Sequence, residues 1–197
     1  MSKKKSAQKE LWLDIACGAR KGNFGSDGEQ DSEGWTGIDI APTEAADIVH
    51  DLNIYPWPFE DNSVDKARCS HYVEHIPHDI PGHSLDGFIL FGNEVGRILK
   101  PGAQLEIWSP YYSSRRAWQD PTHRRAISES SFLYWNQQWL KDNGLDHYGV
   151  TCDFDFAYGY QFSNPRWATA NDEARQFAVN QYINTADDIY VTLTKRG

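Results

Sequence analysis

The sequence predicts an α/β protein built on a mainly parallel sheet of seven strands that closes with an antiparallel last strand. Three observations lead there. Short apolar runs recur along the chain, several of them ended by Gly, Asp or Ser. Helical or loop segments separate them, as crossovers separate parallel strands. The end of the chain reads strand, helix, strand, which predicts an antiparallel edge there.

The elements follow in order. Leu11–Ala16 is a buried strand that ends in Cys17-Gly18. Residues 19–34 are Gly-rich and charged, without helical period, and predict a loop in place of the first crossover helix. WTGIDI (35–40), ADIVHDL (46–52) and VDKARCS (64–70) are the next strands, the last preceded by a Pro-punctuated loop. Apolar residues at 85, 88, 89, 95, 98 and 99 mark one helix face, weakened by Gly87, Gly92 and Gly96. Lys100-Pro101-Gly102 stops that helix, and QLEIWS (104–109) is a fifth strand. Ser128 is a cap for a helix over about 129–141. The alternating run from 149, the helix NDEARQFAVNQYI and the strand DIYVTLTK complete the chain.

A length of 197 residues suits one domain, taken as 11–197 after a flexible basic tail over 1–10, with 110–145 as its substrate-side loop and helix. The net charge of −9 disfavours a general nucleic-acid coat and leaves nucleic acid open without favouring it. No apolar run reaches the 18 or so residues of a membrane span, and no apolar segment follows the basic start as in a signal peptide. Cys17, Cys69 and Cys152 are an odd set and suggest no disulfide framework, so the cytoplasm is the expected home.

Ligands of open parallel sheets bind beyond the carboxyl ends of the strands. The predicted ends carry Asp14-Ile-Ala16-Cys17-Gly18, Asp39-Ile40, Asp51-Leu52 and Ser70-His71. Three acids there disfavour a dinucleotide, whose pyrophosphate needs G-x-G-x-x-G and no nearby carboxylate. A cationic nucleoside without phosphate suits them, which points to S-adenosylmethionine. Asp39 stands at about the spacing of a ribose-binding acid.

At these residues the chain resembles the class I S-adenosylmethionine-dependent methyltransferases, especially the methyltransferase-11-like group. The matching pieces are LDIACG, GIDI, HDL, PWPFEDNSVD, CSHYVEHI and EVGRILKPGAQLEIWSP, which span about 11–110. The resemblance implies a Rossmann-like three-layer fold and methyl transfer to an O or N of an unidentified acceptor. It implies that Asp14 to Gly18 face the methionine part, Asp39 and Ile40 the ribose, Asp51-Leu52 the adenine, and Ser70-His71 the floor near the methyl group. The family's G-x-G after the first strand is A-C-G-A-R here.

The segment SPYYSSRRAWQDPTHRRAIS (109–128) is the unusual part. Arg115, Arg116, Arg124 and Arg125 interleave with Tyr111, Tyr112 and Trp118 in an acidic protein. Tyr112, Arg115, Arg116, Trp118 and Arg124 are the substrate-side candidates, for an acceptor that carries an anionic group. Asp120, His123, Tyr111 and His71 are the catalytic candidates, as proton acceptors or to orient the nucleophile. A non-catalytic nucleoside-binding module of the same fold is the alternative. His71-x-x-Glu74-His75 also fits a zinc-peptidase pattern, but needs a helix through both His, and His71 falls at a strand end. No metal is assigned.

Overall fold

The structure is a computed structural model that describes residues 9–21 and 33–197. Most of the predicted tail, and the greater part of the 19–34 loop with the reduced first crossover, lie outside those residues. Seven strands form one sheet: β1 (Trp12–Ile15), β2 (Trp35–Asp39), β3 (Ile48–Val49), β4 (Val64–Ser70), β5 (Leu99–Pro110), β6 (Phe154–Gln161) and β7 (Asp188–Lys195). Their order is β3-β2-β1-β4-β5-β7-β6. The pairs from β3 to β5 are parallel, while β7 runs antiparallel to both β5 and β6. The mainly parallel sheet and its antiparallel last strand are as expected. Within that antiparallel edge β7 lies inside the sheet, and β6 is outermost. Packing decides this, because β7 buries Ile189, Val191 and Leu193 on one face, whereas β6 exposes Tyr158.

The helices are α1 (Gly87–Ile98), α2 (Arg116–Gln119), α3 (Gln137–Asp142), α4 (Pro165–Ala168) and α5 (Asp172–Gln181). Only α1, between β4 and β5, is a helical crossover between neighbouring parallel strands among the described residues. It starts at Asp86, whose carboxylate accepts from the Phe88 amide at 2.7 Å. Its buried face carries Phe88, Phe91, Val95 and Ile98. Gly92 and Gly96 do more than weaken it: a Cβ at Gly92 would meet the Trp135 indole at 2.4 Å, and one at Gly96 would meet Cys152 at 2.6 Å. These glycines let an aromatic cluster of Phe88, Phe91, Phe132, Trp135 and Phe154 close on the helix.

The helix expected over about 129–141 is two elements. Ser128 caps a 3-10 helix over Glu129–Trp135, and Asn136 then caps α3 by accepting from the Trp139 amide. The break at Asn136 lets its side-chain amide donate to the Phe154 carbonyl on β6. All three cysteines are free and buried. No helix among the described residues is long and apolar enough to cross a membrane.

Candidate functional site

The carboxyl ends of β1 and β4 are neighbours in the sheet, and the backbone bends sharply at both. Ala16 has φ 56° and His71 has φ 52°, in the left-handed region that residues with a Cβ seldom enter, and Gly18 has φ 59°. These bends turn the chain away from the sheet and open a cavity of about 390 Å³. Asp14, Ala16, Cys17, Gly18, Ser70 and His71 line it together with Ala19 and Arg20. That volume is in the range of small-molecule sites.

Asp39 closes β2 beside it. One of its oxygens accepts from the Gly18 amide at 2.8 Å and the other from the Ala41 amide at 2.8 Å. Each carboxylate oxygen keeps further acceptor capacity. Asp51, just after β3, accepts from both the backbone amide and the side chain of Asn53. Leu52 is buried, and its carbonyl accepts from the Trp57 indole, while Ile40 is exposed.

Of the three acids Asp14 lines the cavity, and Asp39 and Asp51 follow the neighbouring strands β2 and β3. Burial, with Asp14 and Asp39 adding to it, pushes the Cys17 thiol up to about 11. Burial also raises the Tyr72 phenol, and both Asp51 and Asp39 act on it in the same direction. The site is less bare than three strand-end acids imply. The Asp14 carboxylate lies 3.0 Å from the Arg68 guanidinium of β4, both side chains being buried, so its charge is balanced from within.

His71 has two acids at hand. Its Nδ1 is 3.4 Å from Glu74 Oε1, a carboxylate only 2% exposed. Asp188, at the start of β7, also feels His71; burial raises its carboxyl, while His71 and then Arg116 pull it down. Arg116 reaches that acid at 2.6 Å. Residues Val73–His75 form a single 3-10 turn that begins after His71. His71 and His75 therefore share no helix face, and the zinc-peptidase reading loses its scaffold.

Of the substrate-side candidates, Tyr112, Arg115 and Trp118 lie together on a groove of about 610 Å³ with Ile183 and Asn184. Trp118 is 70% exposed, its indole N–H donating to the Tyr112 carbonyl. Arg116 is instead engaged with Asp188, and Arg124 is an exposed residue whose amide donates to the Glu74 carbonyl. Tyr111 is 2% exposed, with its ring against Tyr112 and Tyr160. Asp120 accepts from both the amide and the hydroxyl of Thr122, which hold its carboxyl below the usual range. His123 donates from Nδ1 to the Ala117 carbonyl, and its ring meets His75 at 4.7 Å.

Sequence reasoning set Glu74 and His75 aside with the peptidase pattern and did not mark Arg68. Arg68 stands opposite Asp14 in the parallel register of β1 and β4, so the two side chains share a face, a pairing that only strand order makes.

Compared with models of known protein families and with curated proteins, the chain matches none. Solved structures do match. A S-adenosylmethionine-dependent methyltransferase of Archaeoglobus fulgidus is 18% identical, over 95% of this chain and 86% of its own, with a TM-score of 0.61. A Haloferax volcanii chain solved in complex with the Trm112 methyltransferase activator is 12% identical, over 96% and 84%, with a TM-score of 0.53. The YcgJ protein of Bacillus subtilis is 16% identical, over 96% and 93%, with a TM-score of 0.50. The fold is thus that of the class I S-adenosylmethionine-dependent methyltransferases, along nearly the whole chain.

Proposed function

We propose that the protein is an S-adenosylmethionine-dependent methyltransferase that acts on an O or N of an acceptor held beside residues 110–127. One observation carries this reading: the cavity at the ends of β1 and β4, with Asp39 alongside at the end of β2, lies where this fold takes its nucleoside. The residues fit such a ligand. Asp39 retains acceptor capacity for ribose hydroxyls. When bound, the cofactor supplies a methyl carbon on a positively charged sulfur.

The chain's own part is positional. Ala16 to Gly18 and Ser70-His71 would hold the methionine end, Asp39 and Ile40 the ribose, and Asp51-Leu52 the adenine. The acceptor would lie along the groove of Tyr112, Arg115 and Trp118, its ring or apolar body on Trp118 and an anionic group toward Arg115. Holding it in line with the methyl carbon supplies much of the rate. Among the catalytic candidates His71 is the proposed proton acceptor, since it lines the cavity and has Glu74 behind it. Asp120 is a weaker base, because Thr122 stabilises its charged form. His123 and Tyr111 are proposed to shape the acceptor side.

Isothermal titration with S-adenosylmethionine tests the pocket. Saturable one-to-one binding is expected, weakened at least tenfold in a folded Asp39→Ala protein. Absence of binding by the wild-type chain would end the proposal. Incubation with labelled donor and cell extracts then distinguishes an enzyme, which yields a labelled product, from a nucleoside-binding module, which does not.

A further inference from the structure

Outside the donor cavity, three side chains from two distant segments converge. Glu74, His75 and His123 each present a ligand atom, and these atoms lie within 4.8 Å of one another. The hydrogen bonds around them fix which atoms are available. His123 Nδ1 is 2.9 Å from the Ala117 carbonyl, which can only accept, so Nδ1 carries the proton. Thr122 gives its single hydroxyl proton to Asp120, so its oxygen accepts from His75 Nδ1 at 3.0 Å. Both neutral imidazoles are therefore held in the tautomer whose Nε2 lone pair is open. An outer N–H bonded to a carbonyl or hydroxyl is the usual support of a metal-binding histidine.

Glu74 completes the set. Its Oε2 accepts from the Ser109 hydroxyl at 3.1 Å. Its Oε1 is fully buried and has no hydrogen-bond donor. A buried carboxylate oxygen left so is costly without a cation or donor. The nearest group, His71 Nδ1, stands 3.4 Å away on the side of the donor cavity. The two segments are tied together, since the Glu74 carbonyl accepts from the amides of Arg124 and Arg125. The Arg125 guanidinium in turn bonds the Ile76 and Pro77 carbonyls and Asp86.

The geometry points to a binding site for a divalent transition metal, of the zinc class, formed by Glu74, His75 and His123. Two imidazoles and one carboxylate are a donor set that zinc accepts, with a fourth position open to water or to an oxygen of another molecule. On binding, the three atoms would close from within 4.8 Å of one another to the roughly 3.5 Å edge of a tetrahedral zinc site. The peptidase pattern thus spells two of the three ligands with the wrong partner: His123 replaces His71. Glu74 also stands behind His71 in the methyl-transfer reading, but metal binding is measured without donor or acceptor, so the two proposals can fail separately.

The test uses the full-length chain without an affinity tag, stripped with a chelator and titrated with Zn²⁺, and with Co²⁺ for its visible spectrum. One ion per chain and a tetrahedral Co²⁺ spectrum are expected. Affinity should fall at least about tenfold in His75→Gln and in His123→Gln, and stay unchanged in His147→Gln, an exposed histidine elsewhere. Should a variant not fold, Zn²⁺ protection of His75 and His123 from diethylpyrocarbonate in the wild-type chain is the second measure. Absence of saturable binding, equal loss in His147→Gln, or no protection of these two rings overturns the proposal.

Discussion

The cavity proposed for the donor and the groove proposed for the acceptor lie at the same end of the sheet and are built in different ways. The cavity is a product of backbone: left-handed turns at Ala16, Gly18 and His71, and Asp39 fastened to two amides. The groove is a product of side chains from distant segments, with Trp118 and Arg115 set against Ile183 and Asn184. A site made by backbone at strand ends tolerates few changes in its scaffold and recurs wherever the fold does. A site made by exposed side chains can change its ligand without changing the fold, as is general for loops on a rigid scaffold.

Substitutions should separate the two regions. The largest effect is expected beneath the cavity. Arg68→Leu strips the buried Asp14 of its guanidinium and should cost about 3–5 kcal/mol, read as a fall in denaturation midpoint. A change within error would mean that the scaffold under the donor side is not rigid in this sense. Next, His71→Ala should lower the rate of methyl transfer about 100-fold, near 2.7 kcal/mol, and weaken donor binding by less than that, since the same residue lines the methionine end of the cavity. An unaltered rate would move proton transfer elsewhere.

Smaller is Asp86→Ala, which removes the cap of α1 and a partner of Arg125 and His78, at about 1–2 kcal/mol. The sign with pH follows from its carboxyl. Burial works to raise it, but the bonds from His78, the Phe88 amide and Arg125 win and hold it below the usual range. Its stabilising effect is thus complete above the unfolded value of about 4 and is lost as pH falls through the lower folded value. Acid unfolding of wild type and variant should therefore converge at low pH; parallel curves would contradict this. The smallest expected effect is Trp118→Ala, which should raise the acceptor KM several-fold and leave the melting temperature unchanged, the ring being mostly exposed. A large fall in stability would show that the groove is scaffold after all.

The comparison also explains what could be read in advance. Asp39 at the end of β2 and Ser70-His71 at the end of β4 were legible because strand ends follow from short-range apolar patterning and turn residues. The break of the 129–141 helix at Asn136 was not, because the bond that it permits runs to the Phe154 carbonyl on β6, far along the chain. Nor was the balance of Asp14 by Arg68, which needs β4 laid beside β1.

The sequence by itself determined the strands, the parallel core with its antiparallel last strand, and the acids at the strand ends. Each of these depends on neighbours a few residues apart, or on spacing that the backbone enforces. Tertiary structure alone decided that β7 lies inside the sheet, that Arg68 faces Asp14, and that His123 comes to His75 and Glu74. Those pairings join residues far apart in the chain, and the choice among possible partners is made by packing and burial rather than by local pattern.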